Sequence, residues 1–341
     1  MAGVSVSTVS RVLNTPDHRC ATPEVRDRIW QAAMELSYVP NEAARSLRRK
    51  KGTEKKDLSL HVLMTRTDEV SQDPFFHELL HIVETEIYAR GAVLSHLFYV
   101  PFFSDEARMD RVGQEQILGE MEKDDVPQGD GLIIIGKCAK AVLDVLKEKY
   151  SAIVALNRNS THYEVDEVLC DGKKVATLAT EYLISLGHKQ IAYVGACAHE
   201  SRYRGFVDTL LKHDLELNPG FLIDTDQTER SGADAMERLI AMRARPSAIY
   251  CANDITAVGM LKHLGEVREK EYRPSIIASD DIEEAQTTQP MLTTVQLPKQ
   301  EMGRFAVMIL LDRIRGGHDS TVRMEVEGKL LIRESCKKIN G

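Results

Sequence analysis

The sequence predicts a short helical N-terminal segment followed by an α/β body of two doubly wound subdomains. Residues 1–56 have helical patterning and a basic charge, whereas from residue 58 short apolar runs alternate with helical stretches. The length of 341 residues exceeds the roughly 250–300 residues at which a single hydrophobic core stops growing. The 43% hydrophobic and 28% charged residues are ordinary for a globular chain and exclude collagen, coiled coil and wholesale disorder.

The N-terminal segment is predicted to form helices joined by turns. Ser5 is a suitable N-cap for a first helix. Thr22 is a suitable N-cap for a second helix, with Pro23 as the first helical residue. Apolar residues behind each cap recur at the i, i+3, i+4 spacing of one buried helix face. After Pro40, residues 41–47 can form another short helix, and residues 48–57 are a charged linker with few apolar side chains.

The body is predicted from runs of buried-strand length that alternate with helical stretches. The strands are expected at 60–64, 92–97, 131–135, 152–156, 190–194, 248–251 and 275–278. The helices are expected at 75–90, 140–149, 173–186, 203–213, 232–242 and 254–264. Strict alternation predicts parallel sheets with right-handed crossovers. This many strands over about 280 residues favours two sheets flanking a cleft over one sheet.

The charge is distributed unevenly along the chain. The total is −8, but residues 1–56 carry 11 Lys and Arg against 6 Asp and Glu, a net charge of +5. The remainder carries 33 basic and 46 acidic residues, a net charge of −13. A basic segment joined to an acidic body predicts that the first segment binds the phosphates of a nucleic acid and that the body does not.

Several classes of protein are excluded by what the sequence lacks. The six cysteines form no C-x-x-C pair and no Cys/His cluster, so we expect reduced thiols and no metal site. No basic-then-apolar leader pattern opens the sequence, and no apolar run approaches the roughly 18 residues of a membrane helix. We therefore expect a cytoplasmic protein without a membrane partner. No phosphate loop, nucleophile elbow or Cys/His nucleophile arrangement is present, so we expect no cofactor and no enzymatic activity.

The first fourteen residues, Met-Ala-Gly-Val-Ser-Val-Ser-Thr-Val-Ser-Arg-Val-Leu-Asn, resemble the turn and recognition helix of the lactose/galactose repressor (LacI/GalR) family. Small hydroxyl residues let such a helix approach the duplex, and an arginine one turn further on can reach a guanine edge. A plain surface helix is the alternative for such a pattern taken alone. The resemblance places Val6, Ser7 and Arg11 on the major-groove face and Ser5 and Thr8 near phosphates. The predicted DNA-contacting residues are therefore Ser5, Val6, Ser7, Thr8, Arg11 and Asn14.

The block from Tyr38 to Leu47 resembles the family's hinge helix, which places Leu47 as an apolar wedge in the minor groove. A core contact is the alternative for this leucine. The resemblance implies a helix-turn-helix domain over residues 1–47, with its hinge helix at 41–47. Family members normally carry one more helix before the turn, so either the true start lies upstream of Met1 or DNA binding is lost.

The rest of the chain carries further family motifs in order, among them Ser201-Arg-Tyr-Arg-Gly-Phe206, Cys251-Ala-Asn-Asp254 and Arg333-Glu-Ser335. The resemblance implies a periplasmic-binding-protein-like body with two subdomains joined by three crossover strands, near 157–165, 286–292 and 320–326. It also implies a homodimer, and no heptad tail for a tetramer is visible. The expected effector-binding and dimerisation domain spans 58–341, with one subdomain at about 58–160 and 292–322 and the other at about 161–290 and 323–341.

The resemblance also identifies candidate effector-binding residues at the carboxyl ends of the strands. Arg202 matches the family's ligand-binding arginine and Asp280 its ligand-binding acid. Further candidates are Asp73, Phe75, Phe76, Asn157, Gln227 and Asn253. Each has an alternative: a surface charge for the arginine, a helix cap for Asp280 and Asn253, and a core position for the two phenylalanines. Two departures, Ser279 and Gln227 at positions where the family often has aromatics, predict a smaller or more polar pocket.

The leading hypothesis is a sequence-specific transcriptional regulator, a repressor of a carbohydrate-utilisation operon. Its partners would be double-stranded operator DNA, a second copy of the chain, and a sugar bound between the subdomains that controls operator affinity. The alternative is a cytosolic sugar-binding module that has lost DNA binding through truncation.

Overall fold

The computed structural model describes residues 58–66, 73–122, 126–157, 164–197, 200–267 and 272–339, together with Val25, Arg28 and Ile29. The chain divides into two compact units, Met1–Lys56 and Asp57–Gly341. All the predicted DNA-contacting residues, the hinge helix and the linker up to residue 57 lie outside the described residues. The fold of the second unit is described below.

The first lobe is built on a sheet of six parallel strands. They are β1 (Ser59–Met64), β2 (Val93–Tyr99), β3 (Gly131–Ile135), β4 (Ile153–Asn157), β5 (Asp166–Leu169) and β11 (Arg323–Glu325). Their order is β11-β5-β4-β3-β1-β2. The helices of this lobe are α1 (Pro74–Ala89), α2 (Glu106–Met109), α3 (Gln114–Glu122), α4 (Lys140–Lys149) and α9 (Lys299–Ile314). Every residue of β3 is buried, as expected for a parallel strand covered by helices on both faces.

The second lobe repeats this architecture. Its strands are β6 (Ile191–Val194), β7 (Leu222–Ile223), β8 (Ala248–Cys251), β9 (Ser275–Asp280), β10 (Thr293–Gln296) and β12 (Lys329–Leu331). They are ordered β12-β10-β9-β8-β6-β7, and only the edge pair of β12 with β10 is antiparallel within the described part of this sheet. The helices are α5 (Gly172–Ser185), α6 (Ser201–Lys212), α7 (Glu229–Ala241) and α8 (Asp254–Glu266).

The chain crosses between the two lobes three times. It leaves the first sheet after β5, returns from β10 to α9, and leaves again between β11 and β12. The crossings therefore fall at 170–171, 297–298 and 326–328, somewhat later in the sequence than the predicted positions. The reason is that β5 and β11 pair with each other at the edge of the first sheet before the chain changes lobe.

Helices α7 and α8 pack unusually closely because each presents a glycine to the other. A Cβ atom at Gly232 would overlap the carbonyl oxygen of Thr256, and one at Gly259 would overlap that of Glu229. Both obstacles are backbone atoms, which cannot move aside as a flexible side chain would. This contact sets the position of α8, whose first turn carries residues of the candidate site.

The predicted strands and helices are confirmed in the body, with ends that agree within three residues. Strand β5 was not predicted because it begins with two carboxylates, Asp166 and Glu167. In the fold the Asp166 side chain is fully buried and accepts hydrogen bonds from Arg313 Nη2 at 2.7 Å, His318 Nε2 at 3.0 Å and the Val322 amide at 2.8 Å. These partners come from a distant part of the chain, so a local apolar pattern could not reveal the strand.

Candidate functional site

The candidate site lies where the parallel strands β6, β7, β8 and β9 of the second lobe end. The loops that follow the carboxyl ends of neighbouring parallel strands meet at one edge of a sheet, which is where ligands bind in such folds. Four predicted effector residues belong to these strand ends, loops and helix starts: Arg202, Gln227, Asn253 and Asp280. All four side chains are buried.

Arg202 occupies the first turn of α6 and is only 2% exposed. Its guanidinium is held by Glu200, the N-cap of the same helix, with Nε 2.9 Å from Oε1 and Nη2 3.1 Å from Oε2. Nη1 donates to the Ala252 carbonyl oxygen at 2.5 Å, and Nη2 donates to Gln227 Oε1 at 3.0 Å. Burial acts to lower the pKa of Arg202, but the Glu200 carboxylate outweighs it, so the pKa is raised and the charge is retained.

Gln227 and Asn253 extend this network. Gln227 has a φ of 65°, a left-handed conformation uncommon for a residue with a side chain. Its main-chain oxygen accepts a hydrogen bond from Asn253 Nδ2 at 3.0 Å, and Asn253 Oδ1 accepts one from Thr256 Oγ1 at 2.6 Å. Asn253 precedes α8, but its side chain makes no hydrogen bond to the helix backbone as a cap would. Its amide instead ties the loop after β7 to the start of α8.

Two acidic side chains complete the buried part of the site. Asp280 ends β9 with a φ of 130° and is 2% exposed. Asp254, the first residue of α8, is fully buried and accepts hydrogen bonds from Thr294 Oγ1 at 2.6 Å and the Ile282 amide at 3.1 Å. Burial, followed by the charge of Asp280, raises the pKa of Asp254 to about 7. The charge of Asp280 also raises the pKa of Arg202, so the three groups form one electrostatic cluster.

The candidates in the first lobe are placed differently. Asp73 is buried just before α1, and its Oδ2 lies 3.4 Å from Arg66 Nε. Phe75 and Phe76 pack edge to face, 5.1 Å between ring centroids, within the hydrophobic core. This placement favours the core alternative for both rings. Asn157 ends β4, paired through its backbone with β5, and its side chain lies outside the described residues.

A lysine that the sequence did not single out joins the two lobes beside this site. Lys299, the first residue of α9, donates from Nζ to the Asp281 carbonyl oxygen at 2.9 Å and lies 2.5 Å from Glu78 Oε2 on α1. The same Nζ is 5.8 Å from the centroid of the Phe75 ring. Asp281 in turn pairs with Arg333 at 2.5 Å. The candidate site is therefore adjacent to a polar contact between the lobes.

The described residues form neither a metal site nor a membrane span. No group of His, Cys, Asp or Glu in these ranges could hold a metal ion, and the five cysteines described are free thiols. No helix in the same part of the chain is long and apolar enough to cross a membrane.

Comparison with known proteins places the chain in a family. The pattern of bacterial regulatory proteins of the lacI family matches residues 1–41, and that of a periplasmic binding protein-like domain matches residues 180–336. The HTH-type transcriptional repressor PurR of Mannheimia succiniciproducens is 30% identical over 348 residues, covering 99% of this chain and 97% of that protein.

Solved structures share the fold. A LacI transcriptional regulator from Bacillus cereus subsp. cytotoxis has a TM-score of 0.70 and 23% identity, covering 84% of this chain and 100% of that one. A LacI family regulator from Enterococcus faecium with bound ribose has a TM-score of 0.67 and 23% identity, covering 83% of this chain and 100% of that one. The chain belongs to the lacI family of bacterial regulatory proteins and is a DNA-binding transcriptional regulator with a periplasmic-binding-protein-like body.

Proposed function

We propose that this regulator represses a carbohydrate-utilisation operon and that a sugar bound between its lobes controls its affinity for operator DNA. The observation that carries the proposal is the buried pair of Arg202 and Asp280 at the carboxyl edge of the second sheet. A guanidinium donates hydrogen bonds and a carboxylate accepts them, and adjacent sugar hydroxyls can satisfy both. The bound ribose in the Enterococcus faecium relative supports a sugar as the ligand class.

We assign the direct effector contacts to Arg202 and Asp280, with Gln227 and Asn253 shaping the same pocket. Gln227 replaces the aromatic residue that the family often has here, which makes the pocket more polar. Asp73 and Asn157 are proposed contacts from the first lobe. Phe75 and Phe76 are proposed to support that wall from the core, since both rings pack in the hydrophobic interior.

Operator recognition is proposed to reside in residues 1–47. Ser7 and Arg11 would read base edges, Ser5 and Thr8 would contact phosphates, and Leu47 would enter the minor groove. Pseudo-palindromic operators are read by two-fold symmetric proteins, so we propose a homodimer. Such a protein acts where the DNA is, in the cytoplasm, and we propose that it has no enzymatic activity, since the relatives compared are transcriptional regulators.

Control of operator affinity would depend on the arrangement of the two lobes. A ligand shifts a conformational equilibrium only by its difference in affinity for the two states. A sugar that contacts Arg202 and Asp280 in one lobe and Asp73 in the other binds best when the lobes are correctly spaced. The Lys299 contact between the lobes lies beside this position and favours one spacing.

Effector binding can be tested with the full chain by isothermal titration calorimetry against ribose, sucrose and other neutral sugars. We expect one sugar to bind, and Arg202→Lys and Asp280→Asn each to weaken it by about tenfold or more, because a lysine lacks the planar fork and an amide lacks the charge. Arg204→Lys, an exposed neighbour on α6, is the matched control and should bind normally. Equal affinity of Arg202→Lys and wild type would contradict the assignment.

Operator control can be tested by measuring binding to DNA upstream of the protein's own gene. We expect the affinity to fall as salt rises, because phosphate contacts release counterions, and to change when the sugar is added. Sugar binding without any DNA binding would instead support a ligand-binding module.

A further inference from the structure

The arginine of the candidate site is already paired with an anion that belongs to the protein. Both carboxylate oxygens of Glu200 contact the Arg202 guanidinium, Oε1 at Nε and Oε2 at Nη2. This is the two-point geometry by which arginine otherwise recognises a carboxylate or phosphate. The Glu200 side chain is 12% exposed and also accepts a hydrogen bond from the Arg202 amide at the start of α6. Glu200 therefore takes the position on the guanidinium that an anionic ligand would need.

The remaining donors of Arg202 are also largely committed. A guanidinium has five N–H groups. Two point to Glu200, one to Gln227 Oε1 and one to the Ala252 carbonyl oxygen. One N–H is left for another acceptor, which is enough for a single hydroxyl oxygen but not for the two-point binding of a phosphate.

The charge around this arginine is negative. Glu200 and Asp280 both act on the Arg202 guanidinium, and the buried carboxyl group of Asp254 is close enough to Asp280 to feel its charge. Two cations nearby do not compensate, because Arg333 pairs with Asp281 and Lys299 with Glu78. A doubly ionised phosphate brought here would meet carboxylates and, having no P–OH proton, could not donate a hydrogen bond to them, whereas a hydroxyl group can both donate and accept.

We propose that Glu200 makes this site selective for an uncharged polyhydroxyl effector and against the phosphorylated or carboxylated form of the same sugar. The inference deepens the proposed function and rests on it, since it names the chemical class of the effector at the same site. Glu200 acts through Arg202 and is a positioning residue that sets specificity. Juxtaposed like charges discriminate strongly between ligands of otherwise similar shape.

The test uses isothermal titration calorimetry of the full chain with matched pairs: ribose and ribose 5-phosphate, glucose and glucose 6-phosphate, sucrose and sucrose 6-phosphate. In wild type we expect the neutral member of the binding pair to bind at least about tenfold more tightly than its phosphate. In Glu200→Gln, whose amide oxygen can still cap α6, we expect that ratio to fall by about tenfold because the guanidinium regains an unbalanced charge. Glu216→Gln removes an exposed carboxylate after α6 and should leave the ratio unchanged.

The outcomes separate the two proposals. The inference is supported if wild type binds the neutral sugar more tightly than its phosphate and Glu200→Gln shows a smaller preference. A phosphorylated sugar that binds wild type as well as its neutral partner, or an unchanged ratio in a folded Glu200→Gln, overturns the inference but leaves a sugar effector in place. If Glu200→Gln does not fold, the wild-type ratio alone decides. No binding by any member of either class overturns both proposals.

Discussion

The Arg202 guanidinium is tolerated in the interior because oxygen atoms surround it on several sides. An isolated buried charge would cost several kcal/mol, whereas one paired with a carboxylate and fully hydrogen-bonded costs far less. Glu200, Gln227 and the Ala252 carbonyl oxygen supply these partners. Removing any one of them would leave N–H groups unsatisfied, so the loops after β6, β7 and β8 are held in a single arrangement.

The buried carboxyl group of Asp254 predicts a dependence of stability on pH. Its pKa is raised from 3.8 to about 7 by burial and then by the charge of Asp280. Between these values the folded state holds a proton that the unfolded state lacks, so the free energy of unfolding falls as pH rises from about 4 to about 7. We expect Asp254→Asn, which stays uncharged, to show a smaller loss of melting temperature than wild type over this range.

The control for this prediction is Asp234→Asn, which removes an exposed carboxylate on α7. It should follow the wild-type pH profile, because it leaves the buried Asp254 carboxyl group in place. Melting curves recorded by circular dichroism in one buffer series are sufficient. A profile of Asp254→Asn that parallels wild type between about pH 4 and 7 would show that Asp254 titrates normally.

Individual site residues differed in how far they could be predicted. Arg202 and Asp280 were predicted because they stand in strings that resemble a family's ligand-binding motifs, and both are buried at the expected sheet edge. Glu200 and Lys299 were not predicted, because a carboxylate before a helix and a lysine starting another are common surface features. Glu200 contacts Arg202, only two residues away, and its role depends on the site that forms around that arginine. The role of Lys299 depends on its contact with Glu78, which lies far away in the sequence.

At the scale of the elements, the contact between α7 and α8 depends on glycines. Gly259 lies against the backbone of Glu229, where a methyl group has no room. We expect Gly259→Ala to lower the free energy of unfolding by about 3 kcal/mol, because the two helices must move apart. Urea denaturation followed by circular dichroism measures this change.

Gly265, in the last turn of the same helix, is the matched control. Nothing lies within 4 Å of the position that its Cβ would take. Gly265→Ala should therefore leave stability unchanged or raise it by about 0.5 kcal/mol, because alanine favours helix more than glycine does. Equal effects of the two substitutions would mean that helix propensity, and not the close approach of α7, decides the outcome.

Strands whose buried side chains are apolar could be predicted from the sequence. A strand whose buried side chains are charged and held by ion pairs could not. The runs that became β3 and β8 are continuous apolar stretches, and their predicted bounds match the structure. Strand β5 is buried as fully as β3, but two of its four residues are acidic. Arg313 and Arg323 neutralise these carboxylates from the other end of the chain, which no local pattern shows.

At the scale of the whole molecule, Lys299 contacts both lobes, and its loss should make their present spacing less populated. Lys299→Met removes the pairing with Glu78 and the hydrogen bond to the Asp281 carbonyl oxygen while keeping the apolar stem. We expect the sugar affinity to fall by about threefold to tenfold, since this spacing of the lobes becomes less populated. Titration calorimetry with the sugar identified for wild type measures the change.

Lys262→Met provides the comparison for this substitution. Lys262 forms an exposed ion pair with Glu229 at 2.7 Å within the second lobe, so its loss should cost little stability and leave sugar affinity unchanged. If Lys299→Met binds the sugar as wild type does, the contact between the lobes has no part in effector binding.

The three crossings of the chain also constrain how such receptors can be recombined. The first lobe contains β1–β5, α9 and β11, and the second contains the segments between and after them. A chimaera with one junction at 170–171 would therefore combine β5 from one parent with β11 from the other, although these strands pair in the same sheet. Transplanting the sensor specificity of a homologue intact requires two separate inserts with three internal junctions, one at each crossing.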